Sequence, residues 1–479
     1  MMQKKHTHPV QEGTPAWLGF ERKRWIKFII IAVLYAFFVY WVNSLWLILG
    51  FPVLFDMYVS NRVNWSFWRP RNGKTNAVIE WVDALIFAVI AVTIVNIFVF
   101  QNYMIPSGSM EKTLLIGDRL YVSKLRYGPK MPNTPLSFPF TQHTMPGTVA
   151  TPSYLEWIKW PYKRLKGFTT IKNDDNVVFN FPEGDTVVVD MQTESYYSIV
   201  RRFASMLKEN MGASGFELSE EQWMARARDY VWENFKIVVR PLDKEDNYIK
   251  RCVGIPGDKL EVRHGQLYIN EKPQASHSFA QYDYRIETDG TSLPDRVLEE
   301  LGIYRDDVIM ETSNTYIVPL TEEALQGIKN VSCVVSVKRV ENPAGVRSEY
   351  IFPHHPAYLW NEDNFGPLVI PAKGVTVDIN AQNICLYQRI IHAYEGHSLK
   401  VDGDTVFIDG KPATRYTFAM DYYFMMGDNR HHSADSRYWG FVPEDHIVGS
   451  PVLVWLSLDK EKSFPGNIRF GRFFTGARR

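Results

Sequence analysis

Two long runs without a charged residue constrain this chain most. No charged residue occurs from Phe28 to Phe55 or from Ala84 to Met110, and each run exceeds the roughly 20 residues that a helix needs to cross a bilayer. A helix in the core of a soluble protein rarely runs this far without a charge. The first run also lacks the short apolar core and small-residue cleavage site of a secretory signal. Both runs are therefore predicted to be membrane segments.

Basic residues near these runs predict their orientation. The next basic residue after the second run is Lys112, whereas the linker between the runs contains Arg62, Arg69, Arg71 and Lys74. Positive residues are retained on the cytoplasmic side. We therefore predict a cytoplasmic linker at 59–77, a transmembrane helix at 78–103 and an external location for the remainder.

The first run leaves two topologies open. The segment 1–27 that precedes it is also basic, which favours a cytoplasmic location for both flanks of the membrane segment 28–58. A single tilted helix conflicts with that charge distribution. A hairpin that breaks at Asn43-Ser44 satisfies it, although each arm is then short for a bilayer.

A Ser-Gly-Ser turn follows the second run directly, within Pro106-Ser-Gly-Ser-Met-Glu-Lys-Thr-Leu-Leu-Ile-Gly-Asp118. Proline, serine and glycine are ordinary turn residues, so the stretch is either a polar turn that leaves the membrane or a catalytic one. In the second interpretation one hydroxyl is a nucleophile, and a neighbouring hydroxyl and backbone N–H face a developing oxyanion. Such a nucleophile needs a lysine or histidine base.

Lys250 is one candidate base, in the strand pattern Tyr248-Ile-Lys-Arg-Cys-Val-Gly-Ile-Pro-Gly-Asp258. Burial among apolar residues penalises the charged form of an amine, which then loses its proton more readily and acts as a general base. Alternatively, the lysine lies on the polar face of the strand. Cys252 shares its strand face and is either a thiol near the site or a small buried side chain. His431 and His432 are the alternative base.

A polar stretch late in the chain completes this candidate site, Met425-Met-Gly-Asp-Asn-Arg-His-His-Ser-Ala-Asp-Ser-Arg-Tyr-Trp-Gly-Phe-Val-Pro443. Many polar and charged residues against an apolar flank indicate a hydrogen-bonded site rather than a loose loop. Ser433 is suited to orient an amine. Asp435 and Arg437 are suited to pair with each other and hold the loop.

The external part is predicted to be rich in β-strands. A change of period at 193–238 indicates a helical insertion. Within it, the capping-box sequence Ser219-Glu-Glu-Gln222 is followed by residues at helical spacing that predict a core-facing helix: Trp223, Ala227, Tyr230, Val231 and Phe235. The segment 129–166 is irregular; its aromatic rings either rest at a membrane interface or, as we expect, pack on the sheet. Strand patterns occur at 119–124, 176–182 and 185–190.

An internal repeat divides the rest of the external part. Leu260-Glu-Val-Arg-His-Gly-Gln-Leu-Tyr-Ile-Asn-Glu-Lys-Pro273 aligns without gaps onto Leu399-Lys-Val-Asp-Gly-Asp-Thr-Val-Phe-Ile-Asp-Gly-Lys-Pro412. Two similar hairpins therefore enclose residues 274–398, which are predicted to be an inserted subdomain. The segments 104–273 and 399–479 are the two parts of the catalytic domain.

Composition argues against several classes of protein. Lys+Arg and Asp+Glu both number 53, so no basic excess indicates a nucleic-acid partner. The three cysteines, Cys252, Cys333 and Cys385, are too few and too scattered for a disulfide framework or a Cys-x-x-Cys metal site. They allow at most one intramolecular disulfide. We predict no metal, nucleotide or other cofactor.

Three motifs in this order, behind membrane segments, resemble those of bacterial type I signal peptidases, which are Ser-Lys dyad serine proteases. They are PSGSM followed by GD, YIKR followed by GIPGD, and GDNR followed by SADSRYWG. The resemblance covers most of residues 85–455 and is weaker at about 130–170, 193–240 and 277–398. It implies a mostly antiparallel β catalytic fold that acts without a cofactor.

The resemblance also implies roles for individual residues. Ser109 is the nucleophile, Lys250 its general base, and the Ser107 hydroxyl with the Ser109 N–H forms the oxyanion hole. The family commonly has proline where this chain has Lys112, which puts substrate preference rather than activity in doubt. The supporting residues are Ser433, Asp435, Arg437 and Asp428, and the apolar substrate pockets comprise Ile105, Pro106, Met110, Leu114, Tyr248 and Ile249.

The expected function is removal of N-terminal signal peptides from exported preproteins after small residues, at sites of the Ala-x-Ala type. The expected partners are signal peptides and the lipid bilayer, without nucleic acid or nucleotide. The expected location is the bacterial inner membrane with the catalytic domain on the periplasmic side. Two alternatives remain: a self-cleaving repressor type of Ser-Lys protease, which lacks membrane spans, and a membrane-anchored peptide-binding module without catalysis.

Overall fold

The computed structural model describes residues 22–63, 65, 76–212, 218–275, 277–460 and 462–477. The chain divides into two compact units, Met1–Val92 and Thr93–Arg479. Most of the predicted basic N-terminal segment and of the predicted cytoplasmic linker, including Arg69, Arg71 and Lys74, lies outside the described residues.

The first unit contains a helical hairpin within the predicted membrane segment. Helix Arg22–Val42 is followed by a reversal at Asn43, where φ is 51°. The ring of Tyr35 packs edge-on against that of Phe51, with 5.0 Å between the centroids. The backbone therefore has the geometry of the hairpin alternative. The returning arm consists of a 3-10 helix at Leu45–Leu49, an α-helix at Gly50–Phe55 and a π-helix at Asp56–Ser60.

Two helices among the described residues are long and apolar enough to cross a membrane, Arg24–Val42 and Ala77–Phe98. Almost none of their residues is buried within the protein. An apolar helix surface without protein contacts is favourable only where the surroundings are apolar too. Length and composition therefore agree with the predicted membrane segments.

An antiparallel sheet of eight strands organises the second unit. All of its pairings are antiparallel, which confirms the predicted fold class. The spatial order is Phe100–Met104, Asp118–Ser123, Ile447–Ser457, Asn176–Asn180, Asn247–Gly254, Tyr422–Met426 and Val442–Pro443, and Thr475–Gly476 pairs with Ile447–Ser457.

The strand that carries Lys250 is paired incompletely. Asn247–Gly254 pairs with Asn176–Asn180 over its first five residues. On its other edge, Tyr422–Met426 pairs only with the part from Arg251 onward. No strand among the described residues covers that edge of the first four residues. They therefore leave backbone N–H and C=O groups open to another extended chain.

A second antiparallel sheet occupies part of the predicted insertion at 274–398. It has its own hydrophobic core, which includes Ile286, Val318 and Ile328. Later residues of the insertion pack elsewhere, because Phe365–Val369 pairs with the first repeat. The segment therefore contributes to two cores. The second sheet consists of Tyr282–Thr288, Ile309–Thr312, Thr315–Leu320 and Val334–Arg339, with helices Asp295–Glu300 and Glu322–Lys329.

The sequence repeat is also a structural repeat. Both copies form a three-stranded antiparallel meander in the same register: Leu260 pairs with Ile269 in the first copy, and Leu399 with Ile408 in the second. The strands of the first copy are Lys259–Arg263, Gln266–Ile269 and Lys272–Pro273; those of the second are Leu399–Asp402, Thr405–Ile408 and Lys411–Pro412. A two-stranded sheet, Thr376–Asp378 with Arg415–Thr417, flanks the second copy in the sequence.

The helical insertion consists of two helices, Tyr196–Gly212 and Glu220–Asn234, which share one core. The predicted capping box is present: the Ser219 hydroxyl accepts the Gln222 N–H at 3.3 Å, and Gln222 Oε1 accepts the Ser219 N–H at 2.9 Å. Tyr230, expected on the core face, is instead 40% exposed. Trp223, Ala227 and Val231 are buried as predicted. Strands Thr186–Val188 and Ile237–Val239, which flank the helical insertion in the sequence, pair with each other.

The expectation that the aromatic rings of 129–166 pack on the sheet is wrong for several of them. Trp157 is 81% exposed, and Phe138, Phe140 and Trp160 are also exposed. The segment forms isolated bridges rather than a regular strand, so few of its side chains are directed at a core. Tyr154 is the buried exception among these aromatics.

Candidate active site

The structure brings the first and second motifs together. Lys250 Nζ donates a hydrogen bond to Ser109 Oγ at 2.6 Å, although the two residues are 141 positions apart in the chain. Ser109 lies in the short 3-10 turn Gly108–Met110, and Lys250 lies in the central sheet opposite Val177. At this distance a hydroxyl can transfer its proton to a neutral amine.

Lys250 is only 4% exposed, so it is not a surface lysine. Burial lowers the pKa of its amine to about 8, against the opposing charges of Asp435 and Asp428. A substantial fraction of the amine is therefore neutral near physiological pH. Cys252 on the same strand packs in the core, where burial raises the pKa of its thiol.

A buried ion pair holds the polar loop of the third motif. Arg437 donates to both carboxylate oxygens of Asp435, at 3.0 and 2.8 Å, and neither residue is more than 1% exposed. The Gly427 N–H donates to the same carboxylate at 3.1 Å. Burial by itself raises the pKa of Asp435, but the charge of Arg437 and these hydrogen bonds lower it overall. The carboxylate is therefore ionised and ties the two ends of the loop together.

Asp428 makes a second buried pair, with Arg251, a residue that sequence reasoning missed. Arg251 donates through Nε and Nη2, each at 2.8 Å, and the Thr113 hydroxyl donates to the same carboxylate. This network connects all three motifs. The sequence did contain a signal for this pair, namely an arginine beside Lys250 in an apolar strand. A guanidinium that is buried there needs an anion as its partner.

Ser433 lies at the site without the predicted hydrogen bond. Its hydroxyl is buried and has no hydrogen-bond partner among the described residues, so the bond to the Lys250 amine is not formed. Ser433 packs on Gly427, where a Cβ would lie 2.1 Å from Ser433 Oγ and 2.6 Å from the Ser109 carbonyl oxygen. Glycine is therefore required for the loop to approach the serine turn. The Asn429 N–H then donates to that carbonyl at 3.2 Å.

Ser107 precedes the turn in extended conformation, with φ −132° and ψ 158°. It is exposed and lines the same cleft as Ser109. Its hydroxyl makes no hydrogen bond with another described side chain or backbone group, which leaves it available to a bound molecule.

The two histidines proposed as an alternative base are held by acidic residues instead. The Asp283 N–H donates to Nδ1 of His431 at 3.1 Å, and Nε2 of His431 lies 3.0 Å from Asp363. Nε2 of His432 lies 2.9 Å from Asp283. Because Ser109 is bonded to Lys250, the arrangement favours the Ser-Lys interpretation.

A cleft of about 770 Å³ opens beside the Ser-Lys pair. Leu114, predicted to contact substrate, is instead fully buried in the core beneath and does not line it. The other predicted substrate residues, Ile105, Pro106, Met110, Tyr248 and Ile249, line the cleft, and so do the unpredicted Tyr103, Met104, Leu120 and Val178. This part of the cleft is therefore mostly apolar.

The cysteines form no disulfide. All three are free thiols, with Cys252 and Cys333 buried. Within the part of the chain that the structure describes, no group of three or more His, Cys, Asp or Glu side chains is arranged to hold a metal ion.

Comparison with known families identifies the chain. The model of the family described as "Signal peptidase, peptidase S26" matches residues 78–314 and 369–456, which is more than half of the sequence. This chain belongs to the S26 signal peptidase family. It is therefore a serine endopeptidase, and the alternative of a binding module without catalysis is set aside.

Curated relatives agree with this assignment. Signal peptidase I of Buchnera aphidicola subsp. Acyrthosiphon pisum is 22% identical over 397 residues, which are 80% of this chain and 77% of the relative. The Helicobacter pylori J99 enzyme of the same name is 22% identical over 384 residues, 80% of this chain and 83% of that protein. Signal peptidase I of Haemophilus influenzae is 59% identical, but over only 54 residues, 11% of this chain and 16% of the relative.

In this S26 peptidase, Lys112 stands where the resemblance led us to expect proline. Lys112 has a φ of +69°, which proline cannot adopt because its ring fixes φ near −65°. The Lys112 amine donates to the Gly302 carbonyl in the insertion and lies 5.6 Å from the ring centroid of Tyr304. The lysine therefore ties the insertion to the serine turn.

The family match omits residues 315–368. These residues include two strands of the second sheet, Thr315–Leu320 and Val334–Arg339. Half of the strands of that sheet therefore lie outside the part of the chain that the family model describes, although the loop at Gly302 is bonded to Lys112 beside the serine turn.

Proposed function

We propose that this peptidase is anchored in the membrane and removes N-terminal signal peptides from exported preproteins after small residues, at Ala-x-Ala-like sites. The observation that carries the proposal is the 2.6 Å hydrogen bond between Lys250 Nζ and Ser109 Oγ. The bond lies beside an apolar cleft, in a chain of the signal peptidase family.

The open strand edge supports binding of an extended substrate. Residues 247–250 have one edge without a partner strand among the described residues, and they line the cleft together with the segment 103–107. A preprotein segment added there would alternate its side chains in and out of the cleft. The apolar lining around Ile105, Val178 and Ile249 suits the side chains before the scissile bond.

The proposed reaction uses the dyad twice. Neutral Lys250 accepts the Ser109 proton as Oγ attacks the scissile carbonyl, and the oxyanion accepts hydrogen bonds from the Ser109 N–H and the Ser107 hydroxyl. Collapse of the tetrahedral intermediate breaks the C–N bond, and the Lys250 ammonium returns its proton to the leaving amine. Lys250 then deprotonates a water molecule that hydrolyses the acyl-enzyme.

The third motif is proposed to position the dyad. The Asp435–Arg437 and Asp428–Arg251 pairs fix the loop and the strand on either side of Ser109. Rotation of the Ser433 hydroxyl toward the Lys250 amine would supply the orienting bond that the resemblance implies. The two ion pairs act through the loop and the strand, without contact with the reacting atoms.

The proposed location is the bacterial inner membrane, with the catalytic unit on the periplasmic side. Two apolar helices, Arg24–Val42 and Ala77–Phe98, support anchoring, and the basic linker supports a cytoplasmic position for 59–77. The partners in this proposal are signal peptides and the bilayer, with no nucleic acid and no nucleotide.

The cleavage position tests the proposal directly. Detergent-solubilised full-length enzyme should cut a precursor with one Ala-x-Ala site after the second alanine, as mapped by mass spectrometry of both products. Ser109→Ala should abolish the cut because it removes the nucleophile. Failure of the folded wild-type enzyme to cut this site, or cutting by Ser109→Ala, would contradict the proposal.

The activity should depend on pH through Lys250. Its amine must be neutral to act as a base, and its pKa is about 8. We therefore expect kcat/KM to rise about tenfold per pH unit below that value and to level off above it. Glu111→Gln is the control, because burial raises the pKa of Glu111 to about 7. If this variant loses the pH dependence, Lys250 is not the titrating base.

A further inference from the structure

Three carboxylates lie at one end of the cleft without an ion-pair partner. Glu111, Asp306 and Asp307 line the same cleft as the Ser-Lys pair, and none forms an ion pair with another described residue. Arg305, adjacent to two of them, is paired with Asp295 at 2.9 Å instead. Among the described residues, no cation therefore neutralises this negative charge by direct contact.

Two buried acceptor atoms here also lack a donor. Glu111 is 3% exposed and Asn429 is 5% exposed, and Glu111 Oε1 and Asn429 Oδ1 have no hydrogen-bond partner in the part of the chain that the structure describes. The orientation of the Asn429 amide is fixed because its Nδ2 donates to the Gly108 carbonyl at 3.4 Å. A buried acceptor without a donor is costly. Both residues line the cleft, so a bound donor would satisfy them.

The cations at this end are mostly engaged elsewhere. His432 bonds to Asp283 at 2.9 Å, and Arg469 lies 3.4 Å from Asp459. The Lys112 amine donates to a carbonyl of the insertion. Lys460, also in the lining, is exposed, and water screens its charge.

The charge environment of Glu111 agrees with a missing cation. The pKa of its carboxyl is raised to about 7, chiefly by burial and also by the charge of Asp307, against the charges of Lys112 and Arg469. Burial also raises the pKa of Asp307, against the charges of His432 and Lys112. A cation bound between these carboxylates would favour the ionised form of both.

We propose that Glu111, Asp306 and Asp307 form a subsite that selects a lysine or arginine among the first three residues after the scissile bond. The inference rests on the proposed function, since it names a specificity of that same cleft. A guanidinium or ammonium supplies several donors and a positive charge, which matches three carboxylates and an unpaired amide oxygen.

The proposed position of the subsite rests on the order of lining residues around Ser109. One part of the apolar lining, Met104–Pro106, precedes the serine turn in the chain, whereas Glu111 follows it. In this proposal, a substrate with small side chains in the apolar part continues past Ser109 toward the carboxylates. A strand advances about 3.3 Å per residue, so the next three residues extend roughly 10 Å beyond the scissile bond, and long basic side chains add to that reach.

Competition between matched precursors tests the inference. The reference precursor has an Ala-x-Ala site followed by three glutamines, and lysine or glutamate replaces each glutamine in turn. We expect kcat/KM for lysine at one of these positions to exceed that for glutamine by roughly fivefold to tenfold, with glutamate below both. The difference should lie mainly in KM and shrink at about 0.5 M salt.

Variants separate the subsite from a general charge effect. Asp306→Asn with Asp307→Asn should move the lysine-to-glutamine ratio toward one, whereas Asp295→Asn, on the same insertion but paired with Arg305, should leave it unchanged. A ratio of one at all three positions in wild type would overturn the inference, as would a lysine-to-glutamine ratio that Asp306→Asn with Asp307→Asn leaves unchanged. Failure to cut the glutamine precursor would instead contradict the proposed function and this inference with it.

Discussion

Lys250→Met should lower kcat by roughly 10⁴-fold or more. Methionine keeps an apolar side chain of similar length in a position that is 4% exposed, so folding should be preserved. The substitution removes the amine that bonds to Ser109 Oγ at 2.6 Å. Single-turnover cleavage of the Ala-x-Ala precursor measures the chemical step, and thermal unfolding of the same preparation shows whether the variant is folded.

The matched control is Lys124→Met. Burial lowers the pKa of the Lys124 amine to about 7, as it does for Lys250, but Lys124 does not line the cleft. The Lys124→Met enzyme should therefore cleave the Ala-x-Ala precursor at a rate within a few-fold of the wild-type rate. Cleavage by folded Lys250→Met at a rate near wild type would contradict the dyad and direct attention to His432 as the base.

Asp428→Asn should reduce the free energy of unfolding by about 3–5 kcal/mol, the typical cost of leaving a buried charge without its partner. Arg251 is 1% exposed and Asp428 is 0% exposed, so water cannot replace the lost anion. Asparagine has nearly the same shape as aspartate, so the substitution leaves no cavity. The loss of stability therefore measures the lost charge and hydrogen bonding. Urea unfolding of the full-length protein in detergent measures it.

Two further variants make this result interpretable. Asp428→Leu combined with Arg251→Met removes both charges and should cost less than Asp428→Asn alone. Glu300→Gln removes one partner of the exposed Arg296–Glu300 pair, whose side chains are 88% and 59% exposed, and should change stability by less than about 0.5 kcal/mol. Equal small effects of Asp428→Asn and Glu300→Gln would show that the buried network is not needed for stability.

Local sequence patterns predicted the features that local chemistry determines. The alternation at 119–124 predicted a strand that is found at Asp118–Ser123 with alternating burial. The sequence Ser219-Glu-Glu-Gln222 predicted a capping box. Ser109 and Lys250 were named from their motifs, and the fold places them in contact, although their catalytic roles stay predictions until variants are measured.

Features that depend on distant contacts were not predicted. The anion for Arg251 is 177 positions away, and no local pattern could name it. Leu114 was assigned to a substrate pocket because its motif neighbours are there, but the turn directs it into the core. The exposure of Trp157 could not be predicted either, because it depends on whether another element of the fold packs over that side chain. The three carboxylates at the acidic end of the cleft come from two distant segments, at Glu111 and at 306–307.

The bond between Lys112 and Gly302 has a consequence for engineering. The Gly302 carbonyl belongs to the insertion, whereas Lys112 lies just after the serine turn and has a left-handed backbone, with φ +69°. An enzyme shortened by deleting 277–340 would lose the carbonyl to which the Lys112 amine donates, while the left-handed backbone at Lys112 would remain. We therefore expect that a functional shortened enzyme needs a second substitution within the serine turn itself.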